Sequence, residues 1–260
     1  MKDKYWLEAE KIDAYKNGFK VINNLSVKFV ENQRIILLGP NGSGKSSIVD
    51  LINRNIYPLV KKNSKFKILN KEIIDIWEVR KYISTVNNEI RSRINPNLKV
   101  IDLVISGLYG KYCKISESTK KDFIKANEFI EKICSSDISQ RKFGYLSDGE
   151  KQISLIARAL INNPKVLILD EPSVNIDLKS KIFLIKKIHD LKEMKINVLC
   201  ITHDISLITK DYDRVIFLKD RKVYKDGDPR ELMKTRNINS LFDINIKIIE
   251  NSNSWDVIRS

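Results

Sequence analysis

A glycine-rich stretch at residues 39–47 constrains the fold of this chain more than any other feature. It matches the pattern G-x-x-x-x-G-K-[ST] and consists of Gly39, Pro40, Asn41, Gly42, Ser43, Gly44, Lys45, Ser46 and Ser47. The apolar run 35–38 precedes it, and residues 48–52 repeat apolar side chains at helical spacing. Glycines let backbone N–H groups turn toward an anion, and the following helix presents its positive end there. The sequence therefore predicts a phosphate-binding loop for a nucleoside triphosphate.

Two side chains of this loop are expected to act directly on a triphosphate. Lys45 brings positive charge to the β- and γ-phosphates, and the Ser46 hydroxyl is suited to the coordination shell of Mg²⁺. An ordinary Gly-rich turn is the alternative interpretation, and the motifs that follow in order count against it.

Length and composition bound the class of protein. A chain of 260 residues has room for one α/β domain with an inserted or appended lobe. No apolar stretch approaches the roughly 20 residues that span a bilayer, and Met1–Trp6 lacks the apolar core of a secretory signal. Cys113, Cys134 and Cys200 have neither metal-site spacing nor a disulfide framework. We therefore expect a cytoplasmic chain.

The net charge of +14 admits two interpretations. A basic surface attracts nucleic acid or an anionic membrane face. The basic residues are nevertheless scattered along the chain, with only short clusters such as Lys61 and Lys62. Compositional drift with a solvated surface is favoured, and a polyanion site is the alternative.

The phosphate loop and the hydrophobic patterning together predict an α/β fold with a P-loop NTPase core and a mostly parallel sheet. Residues 26–30 alternate, which is typical of an N-terminal antiparallel β subdomain. Buried-strand runs recur at 166–169 and 198–201, and 214–224 reads as a hairpin. An amphipathic helix with apolar positions at Phe123, Ala126, Ile130 and Ile133 precedes these runs. We predict one domain over 1–260, with the core and β subdomain at about 1–88 and 146–260 and an inserted α-helical lobe at about 89–145.

Two carboxylates, Asp170 and Glu171, follow the buried run 167–169. The carboxyl end of a parallel strand is where ligands gather, and paired acids there need a cation such as Mg²⁺. Asp170 is expected to hold the metal, and Glu171 to act as general base toward the attacking water. Acids that only cap the next helix are the alternative. His203 follows the next buried run and is expected to donate a hydrogen bond to the γ-phosphate, with a purely structural histidine as the alternative.

A second helix start lies at Ser147 and Glu150, which have the spacing of a capping box. Gly149 falls in its first turn. The N-terminus of such a helix is suited to an anion.

In this order, the motifs resemble those of the ATP-binding subunits of ABC transporters. The matching elements are the phosphate loop, Leu-Ser-Asp-Gly-Glu at 146–150 as the signature, the acid pair, Asp177 as the D-loop and His203 as the switch histidine. The resemblance covers nearly the whole chain. It implies a head-to-tail homodimer that binds two ATP molecules, with Ser147 and Gly149 contacting the γ-phosphate held by Lys45 of the partner subunit. Tyr15 matches the aromatic that stacks on adenine, and a buried core tyrosine is the alternative.

The chain departs from the family pattern at two places. Asn88 most closely matches the glutamine that touches Mg²⁺ and senses the transmembrane partner, and it is one methylene shorter. The signature carries Asp148 and Glu150, where glycine and glutamine are commoner. Stand-alone ATP-binding proteins of the molybdenum-related ModF type also lack the glutamine, and the chain resembles that branch.

Three functions are compatible with this resemblance. The leading hypothesis is the energy-supplying ATPase of a transporter, docked on separate permease subunits at the cytoplasmic face of the membrane. The second is a soluble ATPase acting on a ribosome, nucleic acid or a cofactor-assembly complex, which the altered glutamine position and basic charge favour. The third is an iron–sulfur assembly ATPase.

Overall fold

The computed structural model describes residues 4–134 and 136–259. Met1–Asp3, part of the segment for which no secretory signal is predicted, lie outside the described residues. The chain forms two compact units. One contains the residues up to Arg80 together with those from Asn197 onward, and the other contains Lys81–Ile196.

The first unit contains an antiparallel sheet built on two long strands. Strands β1 (Tyr5–Lys16) and β2 (Phe19–Val30) form a hairpin, and β4 (Pro58–Leu59) and β5 (Lys65–Ile68) both pair with β1. Asn17 and Gly18 join the long strands with positive φ angles of 52° and 81°, as Asn-Gly hairpin turns require. Leu25, Val27 and Phe29 alternate with less buried residues, so the N-terminal pattern predicted from sequence is confirmed.

The first unit also contains a parallel arrangement around β3 (Arg34–Leu38). This strand pairs in parallel with β8 (Asn197–Thr202) and β9 (Arg214–Lys219), and β9 pairs antiparallel with β10 (Lys222–Gly227). Strands β3 and β8 are buried along their whole length, which explains their continuous apolar sequences. Helix α1 (Lys45–Ile52) starts directly after the glycine-rich loop.

The remaining elements of the first unit follow β10. They are α8 (Pro229–Leu232), α9 (Thr235–Phe242) and the antiparallel pair β11 (Ile246–Glu250) and β12 (Trp255–Arg259). Helix α2 (Ile76–Tyr82) runs across the boundary between the two units.

The second unit is mainly helical and contains one pair of parallel strands, β6 (Ile83–Val86) and β7 (Val166–Asp170). Its helices are α3 (Asn88–Arg93), α4 (Val100–Leu108), α5 (Lys120–Ile133), α6 (Asp148–Leu160) and α7 (Leu178–Asp190). Helix α5 is the amphipathic helix predicted from sequence. It buries Ala126, Ile130 and Ile133, while Phe123 is partly exposed.

The predicted fold class is confirmed. The structure combines an antiparallel β subdomain, mostly parallel strand pairs at the core positions and the predicted hairpin, now β9 and β10. Residues 89–145 contain α3, α4 and α5, and their described part contains no named strand. The division into a core and a lobe within one domain stays a prediction. Within the described ranges, no helix is both long enough and apolar enough to cross a membrane.

Candidate nucleotide-binding and signature sites

The glycine-rich loop leaves the N-terminus of α1 open to an anion. Gly44 is the N-cap residue of α1, with a φ of 99° in the left-handed region that glycine adopts most easily. No side chain caps this helix, and its first turn contains no acidic residue. The orphan N–H groups and the positive end of the helix dipole therefore remain available to phosphate.

Lys45 is held inside its own loop. Its side chain is buried, and Nζ donates to the carbonyl oxygens of Gly39 at 2.7 Å and Pro40 at 3.0 Å. Ser43 Oγ is also buried, and among the described residues it finds no hydrogen-bond partner. A lysine ammonium group and an unsatisfied hydroxyl beside a helix N-terminus are groups that bind phosphate oxygens, so the residues present fit a triphosphate.

Strand register brings His203 to the phosphate loop. Leu38 at the end of β3 pairs in parallel with Thr202 at the end of β8. Gly39 and His203 therefore leave the sheet at the same edge, and His203 is exposed there. The predicted histidine thus lies on the strand next to the loop.

Tyr15 lies near the end of β1 and is 47% exposed, so it does not occupy a buried core position. The neighbouring Lys16 Nζ contacts Asp50 Oδ2 in α1 at 2.7 Å, which ties the tip of the hairpin to the helix after the phosphate loop. The adenine-binding role of Tyr15 stays a prediction.

In the second unit, strand register brings the acid pair together with the asparagines. Val86 at the end of β6 pairs in parallel with Leu169, so Asp170 and residues 87–88 leave the strands at the same edge. The Asn87 side chain accepts a hydrogen bond from the N–H of Ile90 at 2.8 Å and caps α3. Asn88 is exposed as the first residue of that helix. The side-chain cap of α3 is therefore supplied by Asn87.

Glu171 has an uncommon backbone conformation for its residue type. Its φ of 51° lies in the left-handed region, and its carbonyl accepts from the N–H of Val174 at 3.3 Å. Such a conformation in a non-glycine residue costs energy and is concentrated at functional sites. Asp170 Oδ1 and Glu171 Oε2 are both shielded from solvent. Shielded carboxylate oxygens favour a nearby cation, which fits the predicted metal ligand Asp170.

The signature helix α6 begins with the predicted capping box. Ser147 Oγ accepts from the Glu150 N–H at 3.2 Å, and the Ser147 N–H donates to Glu150 Oε2 at 2.7 Å. Arg141 Nη1 donates to Glu150 Oε1 at 2.8 Å. Gly149 is buried, and a Cβ atom built on it would lie 2.8 Å from Cβ of Ser180 in α7. The start of α6 thus packs closely on α7.

Asp177 caps the helix against which Gly149 packs. Its Oδ1 accepts from the N–H of Ser180 at 3.0 Å. Hydrogen bonds from the side chain and backbone of Ser180 lower the pKa of Asp177 below its ordinary value. The structure therefore brings Gly149 and Asp177 into one cluster at the adjoining N-termini of α6 and α7.

Two arginines near the signature were not identified from sequence. Arg91 in α3 pairs with Asp148, and Arg141 pairs with Glu150. Arg91 is separated from its partner by 57 positions, so no local pattern connects the two residues. The two unusual acids of the signature were the available signal, because acids at an anion site require compensation.

Comparison with known proteins finds a family match and relatives that align along most of the chain. The family model described as "ABC transporter" matches residues 22–174. An uncharacterized ABC transporter ATP-binding protein of Methanocaldococcus jannaschii is 30% identical over 261 residues, covering 97% of this chain and 84% of that protein. A petrobactin import ATP-binding protein of Bacillus subtilis is 27% identical over 246 residues, covering 93% of this chain and 94% of that protein.

Solved structures of ATP-binding cassettes share the fold. A dimeric ATP-binding cassette in a post-hydrolysis state, bound to ADP and Pi, superposes with a TM-score of 0.69 at 24% identity. The match covers 85% of this chain and 98% of that one.

The fold and the phosphate loop define a P-loop nucleotide-binding protein. The family match places it more closely: the chain belongs to the ABC transporter family, as an ATP-binding subunit that hydrolyses ATP and energises a membrane transporter.

Proposed function

We propose that two copies of this chain associate head to tail and enclose two ATP molecules at the cytoplasmic face of a membrane, docked on separate permease subunits. The observation that carries this proposal is that each copy has two different helix N-termini suited to phosphate. One follows Gly44, and the other follows Ser147. In a head-to-tail pair, the first binds the nucleotide, and the second closes over its terminal phosphate from the partner.

The phosphate loop supplies most of the affinity for nucleotide. Lys45 exchanges its two loop carbonyls for phosphate oxygens, and the N–H groups at the start of α1 surround the phosphates. Tyr15, exposed on β1, stacks on the adenine ring. Gly39, Pro40, Asn41, Gly42, Ser43, Gly44, Ser46 and Ser47 complete the loop.

Mg²⁺ bound with the nucleotide would neutralise phosphate charge and orient the phosphoryl group. We propose Ser46, Asp170 and Asn88 as its holders on this chain, with Asn88 acting through water. A hydroxyl, a carboxylate and an amide are oxygen donors of the kind that bind Mg²⁺ beside substrate phosphates.

Glu171 accepts the proton of the attacking water, and His203 donates a hydrogen bond that positions the γ-phosphate. Two features support Glu171 in this role: the strained backbone, and the solvent-shielded Oε2. Asp177, at the start of α7, joins the dimer contact next to the signature.

Asn88 in place of the usual glutamine places the chain, in our proposal, with the stand-alone ModF-like branch. An exposed asparagine at the start of α3 reaches less far than glutamine. The shorter side chain is then expected to weaken coupling to a permease rather than ATP binding. The same feature, with the net charge of +14, favours the second candidate, an ATPase acting on a ribosome, nucleic acid or a cofactor-assembly complex.

The substitution Glu171→Gln tests the proposed function. We expect ATP turnover to fall by about 10²–10⁴-fold, because general-base catalysis is lost. ATP binding persists, and an ATP-dependent dimer accumulates in size-exclusion chromatography with light scattering. Glu193→Gln, at an exposed position of the second unit, is the matched control and retains turnover. Wild-type turnover of the Glu171→Gln protein would show that another group is the base.

The same trapped protein separates the two candidate functions. Captured from its own cell extract with ATP, it is expected to retain a membrane protein with several spans. Ribosomes or nucleic acid that dissociate steeply with added salt would instead favour the second candidate.

A further inference from the structure

The signature helix carries an acid that would oppose the ligand proposed for it. Asp148 is the first residue of α6, beside the exposed Ser147. A carboxylate there interacts favourably with the helix dipole itself and repels a second anion at the same N-terminus. An uncompensated Asp148 would therefore weaken binding of a terminal phosphate.

Two cations meet Asp148. Lys151 Nζ lies 3.5 Å from Oδ1 and belongs to the same helix, three residues further on. Arg91 Nη2 contacts the same oxygen from α3 in a closer ion pair. The Arg91 side chain is 20% exposed and that of Asp148 is 40% exposed, so the pair is only partly shielded from solvent. Arg91 makes the closer of the two contacts and is therefore the principal counter-charge.

The other acid of the signature is balanced separately. Glu150 receives the Ser147 N–H and the Arg141 guanidinium, and its charge is used in the capping box and one ion pair. Asp148 accepts no capping bond of this kind in the described hydrogen bonds, so its charge is balanced by side chains alone. The negative charge of Asp148 at the N-terminus of α6 is therefore fully balanced only while Arg91 remains in contact with it.

We propose that Arg91 is a positioning residue: by pairing with Asp148 it neutralises the signature N-terminus, so that this helix can accept the terminal phosphate of ATP held by a second copy. The inference rests on the proposed head-to-tail composite site. Because α3 begins at Asn88, beside the acid-pair edge, the ion pair also links that edge to the signature.

The test measures ATP-dependent dimerisation of the Glu171→Gln protein by analytical ultracentrifugation. Adding Arg91→Ala is expected to raise the dimer dissociation constant about tenfold, because Asp148 loses its closer cation at each of the two composite sites. ATP affinity of the monomer, which depends on the phosphate loop, stays unchanged. Arg93→Ala is the matched control, because Arg93 lies on the same helix and pairs with Glu89 instead.

Rescue distinguishes this role from a structural one. With Asp148→Asn, the Arg91→Ala protein should return to within about threefold of the parent, because no charge remains to be neutralised. Asp148→Asn alone should dimerise at least as tightly as the parent, and this variant serves if Arg91→Ala fails to fold. Arg91→Lys should dimerise nearly as tightly as the parent, because lysine retains the positive charge.

Four outcomes overturn the proposal. The first is a dimer dissociation constant for Arg91→Ala equal to that for Arg93→Ala. The second is an equal loss of dimer affinity from Arg91→Ala with and without Asp148→Asn, and the third is a weaker dimer from Asp148→Asn alone. The fourth is the absence of any ATP-dependent dimer in the Glu171→Gln protein, which would reject the composite site itself and this inference with it.

Discussion

The two helix N-termini proposed to hold phosphate differ in whether side chains cap their N–H groups. Helix α1 follows Gly44, without a side-chain cap or an acid in its first turn. Helix α6 follows Ser147, with a complete capping box and two acids in its first turn. The first leaves its N–H groups for a ligand, whereas side chains of the second already accept hydrogen bonds from the N–H groups of Ser147 and Glu150. The difference indicates an order of events in which nucleotide binds at α1 before α6 engages it from the partner.

The largest expected effect separates the two N-termini directly. Lys45→Ala removes a charged donor to phosphate, a contact of about 1.5–3 kcal/mol, and should weaken ATP binding by the monomer about 10- to 100-fold. Ser147→Ala should change monomer affinity less than about twofold and weaken only the ATP-dependent dimer. Equilibrium binding of a fluorescent ATP analogue at dimer-free concentrations measures the first effect.

The control for this comparison is Lys62→Ala, which removes an exposed lysine of the same unit. Its affinity for nucleotide should match that of the wild type. If Ser147→Ala lowered monomer affinity as much as Lys45→Ala did, the two N-termini would act on nucleotide within one copy, and the proposed order of events would be wrong.

The next comparison concerns glycines at both sites. A Cβ on Gly39 would lie 2.3 Å from the carbonyl oxygen of Leu218, a backbone atom, whereas one on Gly149 would lie 2.8 Å from Cβ of Ser180. Overpacking costs about 1–3 kcal/mol, and we expect Gly39→Ala near the upper end. Gly149→Ala should cost less, since alanine also gains up to about 1 kcal/mol of helix propensity.

The free energy of unfolding, from urea titration, measures both glycine substitutions. Ser180→Gly should recover part of the loss in Gly149→Ala, because it removes the nearest atom, and should recover nothing in Gly39→Ala. Equal recovery in both variants would mean that the close approach of α6 to α7 is not the cause of the loss.

Much of the fold was predictable, because its signals are contiguous in sequence. The phosphate loop, the amphipathic α5 and the Ser147–Glu150 capping box each depend on residues a few positions apart. Patterns of this kind report local backbone conformation and the buried face directly. These elements lie where the sequence predicts them.

The charge balance of the signature was not predictable. Arg91 pairs with Asp148 across 57 positions of sequence. The positive φ of Glu171 is equally hidden, because glutamate as a residue type does not favour that backbone conformation. Neither depends on a local pattern, because tertiary packing decides which distant side chain meets an acid. The phosphate loop and the signature are therefore recognisable from sequence, because each is a short contiguous segment. The cation that balances Asp148 comes from a distant part of the sequence and is found only in the folded structure.

The smallest expected effect concerns a third helix N-terminus, that of α7, which an acid caps directly. Hydrogen bonds from Ser180 lower the pKa of Asp177 below its ordinary value of 3.8. The stability that the ionised Asp177 cap contributes is therefore fully present above that ordinary value and is lost as the pH falls through the lowered pKa of the folded state.

Asp177→Asn keeps a capping oxygen but cannot titrate, so its melting temperature should fall less than that of the wild type between about pH 6 and about pH 3. Asp190→Asn, the same substitution at the other end of α7, is the control and should retain the wild-type pH dependence attributed to Asp177. An unchanged pH dependence in Asp177→Asn would mean that its cap contributes no proton-linked stability to α7.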